Sequence, residues 1–401
     1  MTKENFIKTY GDEPMGATKN YATKSLGTNY DTKDAFIEFG DNANDAKLNE
    51  QPLNFDININ NDESTMVFSD NGTGIEDDTK LFMLGGTNKE HDKNKIGKYG
   101  IGVPGAVAAI ATKCVHDKNK LVEVIFNSSC NGKEFEKHIA IEPNGDMIIG
   151  ETKYFDCDIK KHCTVIKFTN VKLIHFSEII EALEETFEEP LQKNMNFSFN
   201  GRQLGKTGHR TFIGDESIET IMVGNFAIDV KYRIIGGSKT SDERSFDEAG
   251  LRVYDKESGR LLAKSNDLWF WYGNRKAQPN ICGLRAAIYI ESSIECYNKF
   301  GIKPTKNGVT YGKYYKRDVD FANLSGYLAS IYTQASKTSP NIQEDKINIG
   351  NRSFQVAQIK IDQPYVEVSN NNFLIKKKYT SEEIAELINE IITLRKKQNK
   401  K

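Results

Sequence analysis

Asp34–Ala46 reads DAFIEFGDNANDA, and its spacing predicts an amphipathic helix. At about 100° per residue, Glu38, Asn42 and Asp45 fall within one narrow stripe, while Ala35, Phe36, Phe39, Ala43 and Ala46 form an apolar band beside it. Such a helix buries one side and can line a polar cavity with the adjoining one. A carboxylate one turn before a carboxamide suits activation of a water by Glu38 as general base, and donation of a hard oxygen ligand to Mg²⁺ by Asn42. The same stripe also fits a surface helix with a solvated acidic face, so the segments around it have to decide between the two.

Downstream come Asp70-Asn71-Gly72-Thr73-Gly74-Ile75, then Leu84-Gly85-Gly86-Thr87, then Ile96-Gly97-Lys98-Tyr99-Gly100-Ile101-Gly102, and later Thr164-Val165-Ile166. In this order and at these spacings the chain resembles the GHKL ATPases, the superfamily of gyrase B, Hsp90, MutL, sensor histidine kinases and the MORC proteins. Its helix motif E-x3-N-x2-D-A is matched position by position by Glu38, Asn42, Asp45 and Ala46. The resemblance implies a Bergerat-fold domain that binds ATP and Mg²⁺. Within it Glu38 would be catalytic and Asn42 would hold the metal. Asp45, Asp70, Gly72, Gly74, Gly85, Gly86, Thr87, Gly97, Lys98, Tyr99, Gly100, Ile101, Gly102 and Thr164 would hold the nucleotide. The family usually has Gly-Thr where this chain has Cys163-Thr164.

Several of these roles also follow from the residues themselves. Asn54–Asn60 and Ser64–Ser69 read as a hairpin across Asn61-Asp62-Glu63, which delivers Asp70 at a strand end. A carboxylate there, followed by glycines that let backbone approach a flat ring, can accept the exocyclic amine of adenine, although DNGTG alone is simply a good turn. Residues 85–95 are polar, glycine-led and cationic and read as a mobile lid. Gly97 to Gly102 then lead into the small apolar run Val103–Ala111, where glycines at a helix start leave N–H groups free to cradle phosphate.

At 401 residues the chain is too long for one ordinary core. The reading is α+β: an N-terminal arm over residues 1–30, an ATP-binding domain over 31–190, an S5-like α/β transducer over 191–335, and an extension over 336–401. The arm is read either as flexible or as a strap that crosses to a partner. A helix over Phe176–Glu189 is expected to stop at Pro190 and close the first domain. In the second, strands are expected at Asn196–Phe199, Ile221–Ile235 and Ala249–Tyr254, and a helix near Phe321–Ala335. Gly250-Leu251-Arg252-Val253-Tyr254 followed by Gly259-Arg260-Leu261-Leu262 resembles a strand pair of MORC-type second domains. The loop Gly301-Ile302-Lys303-Pro304-Thr305-Lys306-Asn307 resembles the one that sends a lysine into the ATP site, with Lys306 the expected catalytic lysine and Lys303 its competitor. Both could instead be solvated, as loop lysines usually are. In the extension, Ile384, Leu387, Ile391 and Leu394 predict a terminal helix from Thr380.

A net charge of −2 argues against coating nucleic acid by bulk electrostatics. Six scattered cysteines and the polar opening MTKENFIKTYGDE suit reduced thiols in a cytoplasmic setting, or a nuclear one in a eukaryote. No run approaches about 18 apolar residues, which disfavours a membrane sensor kinase. Cys157, His162 and Cys163 invite a zinc reading but lack a second ligand pair. Gly201–Thr207, GRQLGKT, is one residue short of a P-loop and reads as a hairpin at Asn200-Gly201. The function implied is a Mg-dependent ATPase in which ATP drives closure of a homodimer clamp on DNA or on a protein partner. An Hsp90-type chaperone and an ATP-dependent switch subunit are the alternatives.

Overall fold

Strand alternation and one helix position the cleft. In the computed structural model the residues described are 2–12, 30–48, 51–82, 102–205, 217–234, 250–265, 284–303, 306, 319–337, 343–349, 352–358, 366–368 and 374–375. The first unit begins with α1 (Lys3–Tyr10) and α2 (Thr32–Asp45), then β1 (Leu53–Asn60), β2 (Thr65–Asp70) and α3 (Gly102–Lys113). It continues through β3 (Val122–Cys130), β4 (Lys133–Ile141), β5 (Met147–Ile149), β6 (Lys153–Asp156), β7 (Cys163–Thr169), α4 (Ser177–Thr186), α5 (Glu188–Lys193), β8 (Met195–Phe199) and β9 (Arg202–Gln203). Its sheet runs β5-β4-β3-β7-β2-β1-β8-β9, with β6 beside β4; the β1–β8 pair is parallel and its other pairs are antiparallel.

One face of that sheet carries the apolar row Phe55, Phe68, Phe126, Phe168 and Phe197, against which α2 packs Phe36 and Phe39. Phe39 and Phe68 have ring centroids 4.6 Å apart, and Phe36 meets Phe68 edge-on at 5.0 Å. Asp31 and Asp34 form a capping box at the start of α2, which satisfies backbone N–H groups at its first turn. The helix ends at Asp45, where the Ala46 carbonyl turns to accept Thr73 N at 2.6 Å. That contact brings the Asp70–Gly74 segment up to the helix.

Four local expectations change. Asn196–Phe199 belongs to the first sheet, as β8 beside β1, because Phe197 and Phe199 fill its core against Phe55, Phe187 and Phe36. Pro190 does not end a helix. It lies in the first turn of α5, where a missing N–H costs nothing. Within the arm, Phe6, Ile7 and Tyr10 give α1 an apolar edge that packs on Leu121, Ala140 and Ile148. Ile221–Ile235 is two strands, β10 (Ser217–Val223) and β11 (Phe226–Ile234), joined at Gly224-Asn225 with Val223 opposite Phe226.

The second sheet runs β10-β11-β14-β12-β13, adding β12 (Gly250–Asp255), β13 (Leu261–Ser265) and β14 (Leu284–Ile290). Val253, Ile288, Cys296, Phe300, Phe321 and Leu328 form its core with α6 (Ile294–Phe300) and α7 (Val319–Lys337). This is the α+β organisation the sequence implied. A small third sheet, β15 (Gln343–Ile349), β16 (Arg352–Gln358), β17 (Val366–Val368) and β18 (Leu374–Ile375), forms the extension. The terminal helix expected from Thr380 lies outside the described residues. Among the described residues no helix is long and apolar enough to cross a membrane.

Candidate active site

A cleft of about 730 Å³ opens between α2, the end of β2 and the start of α3. Glu38, Asn42, Asp45, Asp70, Thr73, Gly74, Gly102, His162 and Thr164 line it, with Phe39, Phe68, Phe126 and Ile166 as its apolar floor. Of the predicted site residues, Glu38, Asn42, Asp45, Asp70, Gly74, Gly102 and Thr164 are thus brought to one cavity, and Gly72 lies beside Asp70. Gly85, Gly86, Thr87, Gly97, Lys98, Tyr99, Gly100 and Ile101 lie outside the described residues.

Sheet register explains the base of the cleft. Asp70 is opposite Thr164, and Thr164 is opposite Ser128, so three polar residues continue the row in which Phe68, Ile166 and Phe126 are apolar. Asp70 Oδ1 accepts Gly72 N at 2.9 Å. Burial pushes the Asp70 carboxyl up to about 6, against the stabilising Gly72 N–H. A desolvated acceptor over an apolar floor fits a flat heterocycle that brings its own N–H donor. Ser128 escaped sequence reasoning. Its Oγ donates to Cys163 O at 2.9 Å, accepts Ile75 N at 2.8 Å and lies 3.3 Å from Thr164 Oγ1. It therefore ties the Gly74 loop to the Thr164 strand. Gly74 has φ +76°, and a Cβ there would lie 2.1 Å from Ser129 O, so glycine is required.

At the opposite end of the cleft, Glu38 is 5% exposed and faces the first residue of α3. A Cβ on Gly102 would come within 1.7 Å of Glu38 Oε1. Gly102→Ala is therefore expected to displace the carboxylate and lower turnover about tenfold or more, with little change in the thermal melt. Parental turnover in the purified variant would show that the Glu38 position is not critical. Asn42 Nδ2 donates to Glu38 O at 2.8 Å, so its oxygen is the atom suited to a cation. That oxygen, one turn from Glu38 on the cleft wall, fits Mg²⁺ by donor chemistry.

Behind Glu38 lies a cluster contributed by the second unit. Lys306 Nζ is 3.1 Å from Asp41 Oδ2 and 3.5 Å from Glu38 Oε2, and Arg260 Nε is 2.5 Å from Asp41 Oδ1. The Arg260 Nε–H is not aimed along the line to Oδ1, so that contact is an ion pair without hydrogen-bond geometry. Two carboxylates face two cations, and all four side chains are buried. Burial pushes Lys306 towards neutrality, but Asp41 and Glu38 outweigh it and hold its pKa above the ordinary lysine value. Of the competing lysines, Lys306 is 3% exposed and Lys303 is exposed, so a solvated pair is excluded. Lys306 reaches Glu38 without lining the cleft itself. The pairing of Asp41 with Arg260 is not legible in the sequence, since it depends on packing between residues 219 positions apart.

The other readings resolve simply. His162 Nδ1 lies 3.1 Å from Thr73 O, which makes it a donor there. Among the described residues no group of three His, Cys, Asp or Glu could hold a metal, and the described cysteines are free. Asn200-Gly201 forms the two-residue turn between β8 and β9, so residues 201–205 are a hairpin and no P-loop.

Residues 30–128 match a family model described as histidine kinase-, DNA gyrase B-, and HSP90-like ATPase. No curated protein matches the chain. Among solved structures, the ATPase region of Saccharomyces cerevisiae topoisomerase II aligns over 74% of this chain and 85% of that one, at 15% identity and a TM-score of 0.41. The ATPase and transducer domains of DNA topoisomerase II from Balamuthia mandrillaris align over 76% and 86%, at 14% identity and a TM-score of 0.42.

Proposed function

We propose that the chain, whose residues 30–128 match a family model described as histidine kinase-, DNA gyrase B-, and HSP90-like ATPase, is a Mg-dependent ATPase whose second domain responds to the γ-phosphate. The observation that carries this reading is the delivery of Lys306, from outside the matched segment, to the acidic wall of the cleft. Asp70 would accept the adenine amine, with Thr164 and Ser128 beside it. Gly102, at the start of α3, would meet phosphate oxygens with its N–H and the positive end of the helix. Asn42 would hold Mg²⁺, which supplies neutralisation of phosphate charge when bound. Glu38 would take the proton of the attacking water.

Lys306 supports a switch. Its ammonium is already desolvated and shared by two carboxylates, so a phosphate arriving near Glu38 competes with Asp41 for the same compact charge. Movement of Lys306 towards the nucleotide would pull on the second domain and couple ATP to the geometry of a homodimer clamp, in the manner of MORC-like ATPases. Lys306→Ala is expected to leave ADP affinity unchanged and to cut both ATP turnover and ATP-dependent dimerisation. Calorimetry with ADP, turnover at saturating Mg-ATP and sedimentation with and without ATP measure these. Equal turnover in variant and parent would remove Lys306 from the site. A clamp acting on DNA predicts salt-sensitive DNA binding that tightens with a non-hydrolysable ATP analogue, and its absence would favour a protein partner.

A further inference from the structure

The strand pair that carries Arg260 has no part in the chemistry above, yet Arg260 is 1% exposed and touches both halves of the Lys306 contact. Its Nε pairs with Asp41, and its Nη1 donates to the Lys306 carbonyl at 2.7 Å. Lys306 itself has φ +55°, a left-handed conformation that a lysine adopts only when something holds it there. Two hydrogen bonds do so: Lys306 N donates to Lys303 O at 2.7 Å, and Arg260 takes the carbonyl.

Arg260 is in turn fixed by its own turn. Asp255 is fully buried and accepts Ser258 N at 2.8 Å, Ser258 Oγ at 2.6 Å and Tyr297 Oη at 2.6 Å. Ser258 Oγ accepts Arg260 N at 3.2 Å, and Asp255 N donates to Arg260 O at 2.9 Å. The chain of contacts runs from α6 through this turn to the guanidinium, and from there to both the lysine backbone and α2. We infer that Arg260 and Asp41 are a positioning pair: Arg260 holds the Lys306 backbone while Asp41, clasped by both cations, sets the distance between the Lys306 ammonium and Glu38. The pair touches no substrate, so it acts on the hydrolytic step through Lys306 and leaves ground-state nucleotide binding alone.

This inference rests on the ATPase reading, and the test separates the two. Arg260→Lys keeps a positive charge beside Asp41 but offers a point charge on a flexible stem, which cannot also hold the Lys306 carbonyl. Arg260→Met keeps bulk without charge, and Asp41→Asn keeps shape without the anion. For the full chain, kcat and KM for Mg-ATP, ADP affinity and the thermal melt are measured for parent and variants. All three variants are expected to lose about tenfold or more in kcat, with KM and ADP affinity within about twofold of the parent. Parental kcat in Arg260→Lys would overturn the inference, because charge on Asp41 would then suffice. So would a parallel loss of kcat, ADP affinity and melting temperature with a rise in KM, which marks a merely structural contact. Should Arg260→Met fail to fold, Arg260→Lys and Asp41→Asn decide. A parent chain that neither binds nor hydrolyses ATP would remove the ATPase reading, and the inference with it.

Discussion

Glutamine in place of Glu38 is expected to leave Mg-ATP bound while turnover falls by about 10²–10⁴-fold. The substitution preserves shape against Gly102, where the carboxylate has no room to be larger. Proton acceptance is lost, and Asp41 still holds Lys306 through Oδ2, so the second domain keeps its grip on α2. ATP should therefore accumulate in an unhydrolysed complex and the closed dimer should persist. Phosphate release at saturating Mg-ATP and sedimentation of the ATP-bound variant measure both. If turnover stayed at the parental rate, the base would be another carboxylate. Asp45 would come first, because Asp41 is shared between Arg260 and Lys306 and does not line the cleft.

Asp70→Asn is expected to weaken adenine-nucleotide binding by about 1–3 kcal/mol or more, beyond detection for a weak parent, with the fold intact. An amide can offer its NH₂ where adenine brings a donor, leaving a buried mismatch. The parental pH dependence follows from burial, which pushes the Asp70 carboxyl up to about 6 from an ordinary value of 3.8. Below pH about 6 the free protein protonates Asp70, so nucleotide affinity should fall as pH drops through that value. Stability of the nucleotide-free protein runs the other way. Because the folded state binds the proton more tightly than the unfolded one, Asp70 favours folding increasingly from pH 6 down to about 4. Asp70→Asn should flatten both trends, which denaturant titrations and calorimetry across that window would detect.

Much of this site is legible in the sequence because strand alternation carries it. Phe68 and Asp70 are two apart on one strand, as are Thr164 and Ile166 on another, so an apolar row that ends in a polar residue can be read from either segment. Ser128 obeys the same rule on β3, but only the register of β3 against β7 brings it to Thr164, and one sequence does not give register. Periodicity also misleads where a strand run is long. Gly224-Asn225 interrupts the apolar stretch from Ile221 and makes a hairpin of what reads as one strand. Pro190 reads as a stop, although the first turn of a helix accepts proline equally well. Arg260 and Asp41 lay beyond local reading. Each sits within a recognisable motif, but the partner that neutralises each is supplied by the other domain.

Calorimetric titration of the parent chain with Mg-ATP and Mg-GTP at neutral pH probes whether the cleft reads adenine through the Asp70 carboxylate. ATP offers an amine to Asp70 where GTP offers a carbonyl oxygen, which a buried carboxylate repels. Saturable binding of one ATP per chain is expected, with weak or undetectable binding of GTP. No heat from ATP, or equal affinity for the two nucleotides, would contradict it.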